Sequence, residues 1–189
     1  MSGYEVWPAQ HHTRMRWANG GGWTTEIAAE PSGPQWEWRL SVADVEAAGP
    51  FSLFPGVDRT IALISGAGFA LTINGGDEVI IDVPYEPFDF AGDATTSCRL
   101  IDGPVQDINV MTSHGAVARR LEFLHVPPHT VVEISDVEVA VLVAGHLRIA
   151  HEDLGYLDAI RCTSGSSRIE LRSGSDGAVI AAANACVHG

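Results

Sequence analysis

"WEWRLSVADV", residues 36–45, alternates strictly: Trp36, Trp38, Leu40 and Val42 fall on one side, Glu37, Arg39 and Ser41 on the other. A period of two belongs to a β-strand, because apolar positions on a helix recur every three or four residues. The pattern spreads outward in both directions. "RTIALISGAGFALTING" (59–75) reads as two short strands broken at Ser65-Gly66-Ala67-Gly68, in the manner of a hairpin. Further strands are expected at 77–90, 97–103, 105–113, 120–128, 130–134, 137–149, 159–164, 167–173 and 177–185. Turn residues recur about every 8–12 positions, the spacing of a sandwich or barrel. Only 41–49 and 151–159 leave room for a helical turn. The chain is therefore expected to be all-β.

Its 189 residues can bury a sizeable core, and 46% hydrophobic with 19% charged residues is a globular composition. No apolar run approaches the roughly 18 residues of a membrane helix, and the start "MSGYEVWPAQ" has no secretory leader pattern. Three widely spaced cysteines, Cys98, Cys162 and Cys186, argue against a disulfide framework and for a reducing, cytoplasmic setting. The net charge of −13 includes eleven arginines and no lysine. Such a field repels phosphate backbones, so no nucleic-acid or membrane partner is expected. The lack of lysine also removes Schiff-base chemistry and the P-loop.

A faint internal repeat is present. "ALISGAGFAL" (62–71) matches "VLVAGHLRI" (141–149), and "LIDGPVQDINV" (100–110) matches "LRSGSDGAVIA" (171–181). The paired glycines, Gly66 with Gly145 and Gly103 with Gly174, lie 37 residues apart in the first copy and 29 in the second. Two β-barrel halves are expected, 1–116 carrying the pocket and a shorter 117–189. In the first copy Asp107 and Asn109 share one face of a strand; their counterparts are Ala178 and Ile180. If that face looks inward, the first half keeps a polar interior and the second does not. The alternative is a strand facing water.

Metal and covalent chemistry find little support. The segment 49–66 has no His or Glu, and His125, His129 and Glu133 straddle two prolines without convergent spacing. His11-His12 reads as part of a mobile N-terminal arm, and His114, His146, His151 and His188 are isolated. Cys98 and Cys162 sit in apolar strand patterns, the setting of inert thiols. No metal or other cofactor is expected.

The remaining chemistry is polar residues on first-half strands: Thr24 with Glu26, Arg39 with Ser41, adjacent Asp58 and Arg59, and Asp107 with Asn109. Either arginine could hold a carboxylate through a two-pronged hydrogen bond. The same residues could equally form a buried ion-pair network that pins the fold and binds nothing, with Arg59 the most structural of them. Asn19-Gly20-Gly21-Gly22 admits three readings: an anion-cradling nest of backbone N–H groups, a side-chain-free lip at a ligand mouth, or a hinge.

The ordered motifs "RWANGGGWTTEIA", "WEWRLSVADV", "FPGVDR" and "DINVM" resemble the HutD/Ves family of cupin-like proteins over about residues 14–111. The resemblance implies two RmlC-like cupin barrels in one chain (a bicupin) and a small-molecule-responsive modulator of histidine utilisation. Taken with the arginines and the missing metal-ligand spacing, it leads to the expectation of a metal-free site for a small carboxylate metabolite, with urocanate or N-formylglutamate suggested by the resemblance. It places Asn19, Gly20, Gly21 and Gly22 among the ligand-binding residues, with Thr24, Glu26, Arg39, Ser41, Asp58, Arg59, Asp107 and Asn109. The alternative is an enzyme using Glu26 or Asp107 as general base. One departure is the run "MTSHG" (111–115), which separates the last motif from Arg119-Arg120. Homodimerisation through a sheet edge is left open.

Overall fold

The computed structural model describes residues 3–135, 137–163 and 168–185; Cys186 and His188 lie outside them. Among the described residues the chain forms seventeen strands and a single 3-10 turn, Ala9–His11, with no α-helix. It divides into two compact units, one of residues 13–119, the other of 1–12 with 120–189.

Strand β1 (Tyr4–Trp7) opens the chain and belongs to the second of these units. The 13–119 unit holds β2 (Thr13–Arg16), β3 (Gly22–Glu30), β4 (Trp38–Val45), β5 (Gly49–Pro50), β6 (Val57–Ser65), β7 (Phe69–Ile73), β8 (Glu78–Ile81), β9 (Phe88–Ala91), β10 (Thr96–Leu100) and β11 (Val105–Ser113). They form two open antiparallel sheets, ordered β2-β3-β4-β11-β6-β9 and β5-β10-β7-β8. The core between them is Ala43, Val45, Ile61, Leu63, Phe69, Leu71, Ile81, Cys98 and Val105. The six-stranded sheet is buried on its other face too, at Leu40, Val42, Ala62, Ile108 and Val110. That is why Arg39 and Ser41, the polar side of the opening alternation, are not solvent-facing: Arg39 is 9% exposed and Ser41 3%.

The second unit continues with β12 (Arg119–Val126), β13 (Val131–Ile134), β14 (Val139–Ile149), β15 (Glu152–Leu154), β16 (Ala159–Cys162) and β17 (Ile169–Ala185). They make one seven-stranded sheet ordered β1-β16-β14-β17-β12, with β13 on β17 and β15 on β14. Its core includes Leu142, Leu147, Ile149, Ile169, Leu171, Ala178 and Ile180, with Ser173 the buried polar side chain of this unit among the described residues.

Four expectations are corrected. The turn at 65–68 is no hairpin: β6 and β7 lie in different sheets. Gly66 and Gly68, at φ +101° and +106°, carry the chain across where a Cβ would strike Pro104 O and Ile81 O. The runs 167–173 and 177–185 merge over the described residues into β17, because Gly177 (φ +71°) makes an irregularity within the strand rather than a turn. No helical turn forms at 41–49 or 151–159; ladder pairing of β4 and β15 wins there. Finally, the N-terminal segment is no loose arm. Strand β1 pairs with β16, and the His12 ring nitrogen Nε2 lies 2.9 Å from Leu157 O.

Candidate functional site

Three neighbouring strands of the six-stranded sheet bring the polar residues into register. Met111 on β11 faces Arg39 on β4 and Arg59 on β6. One step along, Asn109 faces Ser41 and Ile61; at the next, Asp107 faces Ala43 and Leu63. With strands about 4.8 Å apart, the two arginine Cα atoms stand about 10 Å from one another across Met111. Both side chains turn toward the opposing sheet, into a cavity of about 400 Å³. This falls within the roughly 300–1,000 Å³ typical of small-molecule sites.

Arg59 is 6% exposed. Its Nη2 donates to Asn109 Oδ1 at 2.9 Å, and Asn109 Nδ2 donates in turn to Asp107 Oδ1. The guanidinium also lies 4.7, 5.3 and 5.6 Å from the ring centroids of Phe90, Phe51 and Phe54. These aromatic faces compensate in part for lost hydration of the charge. Burial, opposed by the attraction of Asp107, brings the Arg59 pKa down to about 10, so it remains a cation at neutral pH. Arg39 Nε stands 2.8 Å from Glu26 Oε2 as an ion pair. The Nε atoms of both Arg39 and Arg59 are nonetheless buried without an aligned hydrogen bond.

Asp107 is 1% exposed. Burial pushes its carboxyl up to about 7, against the pull of Arg59 and the hydrogen bond from Asn109; Asp44 adds to the rise. Burial, and then Asp107 itself, push the neighbouring Cys98 thiol up to about 12, which leaves it protonated and unreactive.

The structure thus gathers Asn19, Thr24, Arg39, Ser41, Arg59, Asp107 and Asn109 around one cavity. Glu26 stands behind Arg39 as its ion-pair partner. Asp58 is turned away, its side chain 75% exposed and 3.3 Å from His114, as expected of the strand neighbour of an inward Arg59. The three glycines do not line the cavity. Gly20 N donates to Trp17 O and Gly21 N to Asn19 Oδ1, so those N–H groups are spent within the turn rather than aimed at an anion. Gly22 is required by close approach: a Cβ there would sit 2.2 Å from Asp44 O. The segment after Met111 also stays away, with the Arg119 guanidinium 5.1 Å from the Trp38 ring.

Sequence reasoning missed the apolar wall. Met111 was within reach, since it continues the period of two from Asp107 and Asn109. Trp17, which donates from Nε1 to Thr24 Oγ1 at 2.8 Å and meets Phe51 edge-on at 6.2 Å, gave no periodic signal because it sits in a turn. Phe51 and Phe54 lie in a loop between β5 and β6. Among the described residues, no three His, Cys, Asp or Glu side chains converge to hold a metal ion. His125, His129 and Glu133 are all exposed.

The antiparallel sheets that frame this arginine-bearing, aromatic-walled cavity give the chain a cupin-like fold. The family model for HutD matches residues 9–181, and the chain belongs to the HutD family. It is 36% identical over 126 residues to an uncharacterised 21.2 kDa protein from the hutC 3′ region of Pseudomonas putida, covering 65% of each chain. It is 38% identical over 99 residues to protein Ves of Citrobacter koseri, covering 51% of each. The chain therefore spans just under two thirds and about half the lengths of these curated relatives. Among solved structures, HutD from Pseudomonas fluorescens SBW25 is 31% identical with a TM-score of 0.73, over 97% of this chain and 100% of that one. A quercetin 2,3-dioxygenase from Acinetobacter baumannii, at 13% identity and TM-score 0.66 over 96% of this chain and 79% of that one, shares the fold alone.

Proposed function

We propose that the cavity in the 13–119 unit binds a small carboxylate metabolite, without a metal, and that through this binding the protein modulates histidine utilisation. One observation carries the reading: Arg39 and Arg59, in register on either side of Met111, both line one cavity. A carboxylate is the anion whose two oxygens match a guanidinium's paired donors. The aromatic wall of Trp17, Phe51 and Phe54 suits a ligand with a flat or aliphatic body. Family membership, and the hutC-region relative, support histidine catabolism as the source; urocanate and N-formylglutamate are the candidate ligands. The same membership and the likeness to cupin-like structures support a two-cupin arrangement, although each sheet is an open path rather than a closed barrel. The free, buried thiol of Cys98 supports a reducing compartment, the cytoplasm.

The test is a thermal-shift titration with histidine, urocanate, N-formylglutamate and glutamate, with and without chelator. A ligand at 100 times its Kd stabilises by about 2.7 kcal/mol, a readable shift. The expected result is a shift with one metabolite, indifferent to chelator and lost in Arg39→Ala. Absence of a shift with all four, or a shift abolished by chelation, would overturn the proposal.

A second reading has an observation of its own. Asp107 lines the cavity with its carboxyl raised to about 7, the range of a general base. An enzyme would convert the bound metabolite, and product analysis after prolonged incubation separates it from a binder.

A further inference from the structure

We infer that the cavity takes up its carboxylate ligand together with one proton, and that Asp107 holds that proton. The inference rests on the cavity being a carboxylate site, and it follows from counting charges in a closed space. Arg39 and Arg59 contribute two positive charges, but Glu26 already stands 2.8 Å from Arg39. Arg59 is tied through Asn109 to Asp107. With Asp107 ionised, the four groups sum to zero, and an incoming carboxylate would leave an uncompensated anion in the desolvated interior of a chain of net charge −13. With Asp107 protonated, the group carries one net positive charge, matched to one carboxylate. Two carboxylates sharing one guanidinium in a dry site do not both ionise; one of them keeps a proton.

The geometry selects Asp107 as the holder. It is the deepest of the acids, 1% exposed, whereas the Glu26 side chain is 28% exposed and directly ion-paired. The groups around Asp107 can be named strand by strand. Glu26 comes from β3; Arg39 and Asp44 from β4, Asp44 being bonded to Arg14 and Gln106; Arg59 from β6; and the neutral Cys98 thiol from β10. Among the described residues no histidine lines the cavity, so no imidazole there accounts for a proton taken up near neutral pH. In the empty cavity Asp107 is poised at about 7. An added anion raises it further, so above that pH each ligand bound draws one proton from water. Asn109 serves both states, its amide oxygen accepting from Arg59 and its amide nitrogen donating to Asp107.

The experiment is isothermal titration of the full chain with N-formylglutamate and with urocanate. It is done at about pH 8, above the range in which unperturbed carboxyl and imidazole groups titrate, in phosphate and in Tris, whose ionisation enthalpies differ. For urocanate, which brings a single carboxylate, the expected result is uptake of close to one proton per ligand, with Kd rising about tenfold per pH unit above about pH 7. N-formylglutamate, a dicarboxylate, is expected to draw at least as many protons. Asp107→Asn keeps the acceptor for Asn109 and is expected to bind with a Kd that no longer follows pH. Binding without proton uptake and with a flat pH profile would overturn this inference while leaving the carboxylate site standing. Failure of both probes to bind at every pH would overturn both. The buffer comparison is made on the unaltered protein, so it decides even if the variant folds poorly.

Discussion

Replacing Asp107 by Asn removes a buried charge while keeping the shape and the acceptor oxygen, and its effect on stability follows from the folded environment. Burial holds the carboxyl at about 7 in the folded state against an ordinary 3.8. Each pH unit of that difference is worth about 1.4 kcal/mol, so the ionised carboxylate costs the ligand-free fold at most about 4 kcal/mol. The sign is that of a raised acid. The folded state binds more protons than the unfolded one between about pH 4 and pH 7, so the favourable contribution is full below 3.8 and is lost as pH rises to about 7. Asparagine has no such dependence. Asp107→Asn should therefore match the unaltered protein near pH 4 and gain on it by about 1.4 kcal/mol per pH unit. By about pH 8 it should be the more stable by up to about 4 kcal/mol. Urea unfolding at about pH 4.5, 6 and 8, with stability taken from the midpoint at a common m value, reads this directly. Other titrating groups cancel between the two proteins. A difference that does not change with pH, or a variant that is less stable at alkaline pH, would refute the account of Asp107 as a strained buried acid.

Arg59→Met fills similar volume without charge. It is expected to abolish metabolite binding yet to leave stability near pH 5 unchanged or improved, because Asp107 is then neutral. At about pH 8 it should destabilise, since the ionised Asp107 loses its counter-charge; equal effects at both pH values would contradict the pairing. Gly22→Ala places a Cβ 2.2 Å from Asp44 O and should cost about 1–3 kcal/mol by forcing β3 off β4. Gly21→Ala, whose Cβ would lie 3.3 Å from the end of the Asn19 side chain, should lower the melting temperature far less. Similar losses in the two would favour a simple hinge over the close-approach explanation.

The all-β class was legible because burial on the sheets imposes a period of two, and the opening alternation at 36–45 shows it. Membership of the family was legible from ordered motifs. Sheet assignment was not, since Ser65-Gly66-Ala67-Gly68 has the same local chemistry in a hairpin as in a crossing between sheets; only the distant contacts with Pro104 and Ile81 decide it. At the site, period-two reasoning grouped Thr24 with Glu26, Arg39 with Ser41 and Asp107 with Asn109. It also divided Asp58 from Arg59. It could not find Trp17, Phe51 or Phe54, because turn and loop residues reach the cavity through backbone courses that no periodicity encodes. The glycine run stands out by its rarity, but the requirement at Gly22 lies in a backbone approach to Asp44 on the next strand, which the local sequence does not encode.

The cost of the polar row is clearest against the positions that the faint sequence repeat sets beside it in the other unit. There the repeat aligns Asp107 and Asn109 with Ala178 and Ile180, and both sit in an apolar core, 6% and 3% exposed. An antiparallel strand in this chain is thus stably packed with small and branched apolar side chains at those positions. Buried ionic groups generally contribute no more stability than apolar residues of similar volume. The 13–119 unit instead keeps two buried arginines, a buried carboxylate and a cavity of about 400 Å³ where packing would otherwise be closed. Stability does not account for that choice, and the carboxylate ligand proposed above would. The Arg39–Glu26 ion pair is already in place; a proposed ligand that brings one negative charge and leaves Asp107 protonated would give Arg59 a matched partner as well.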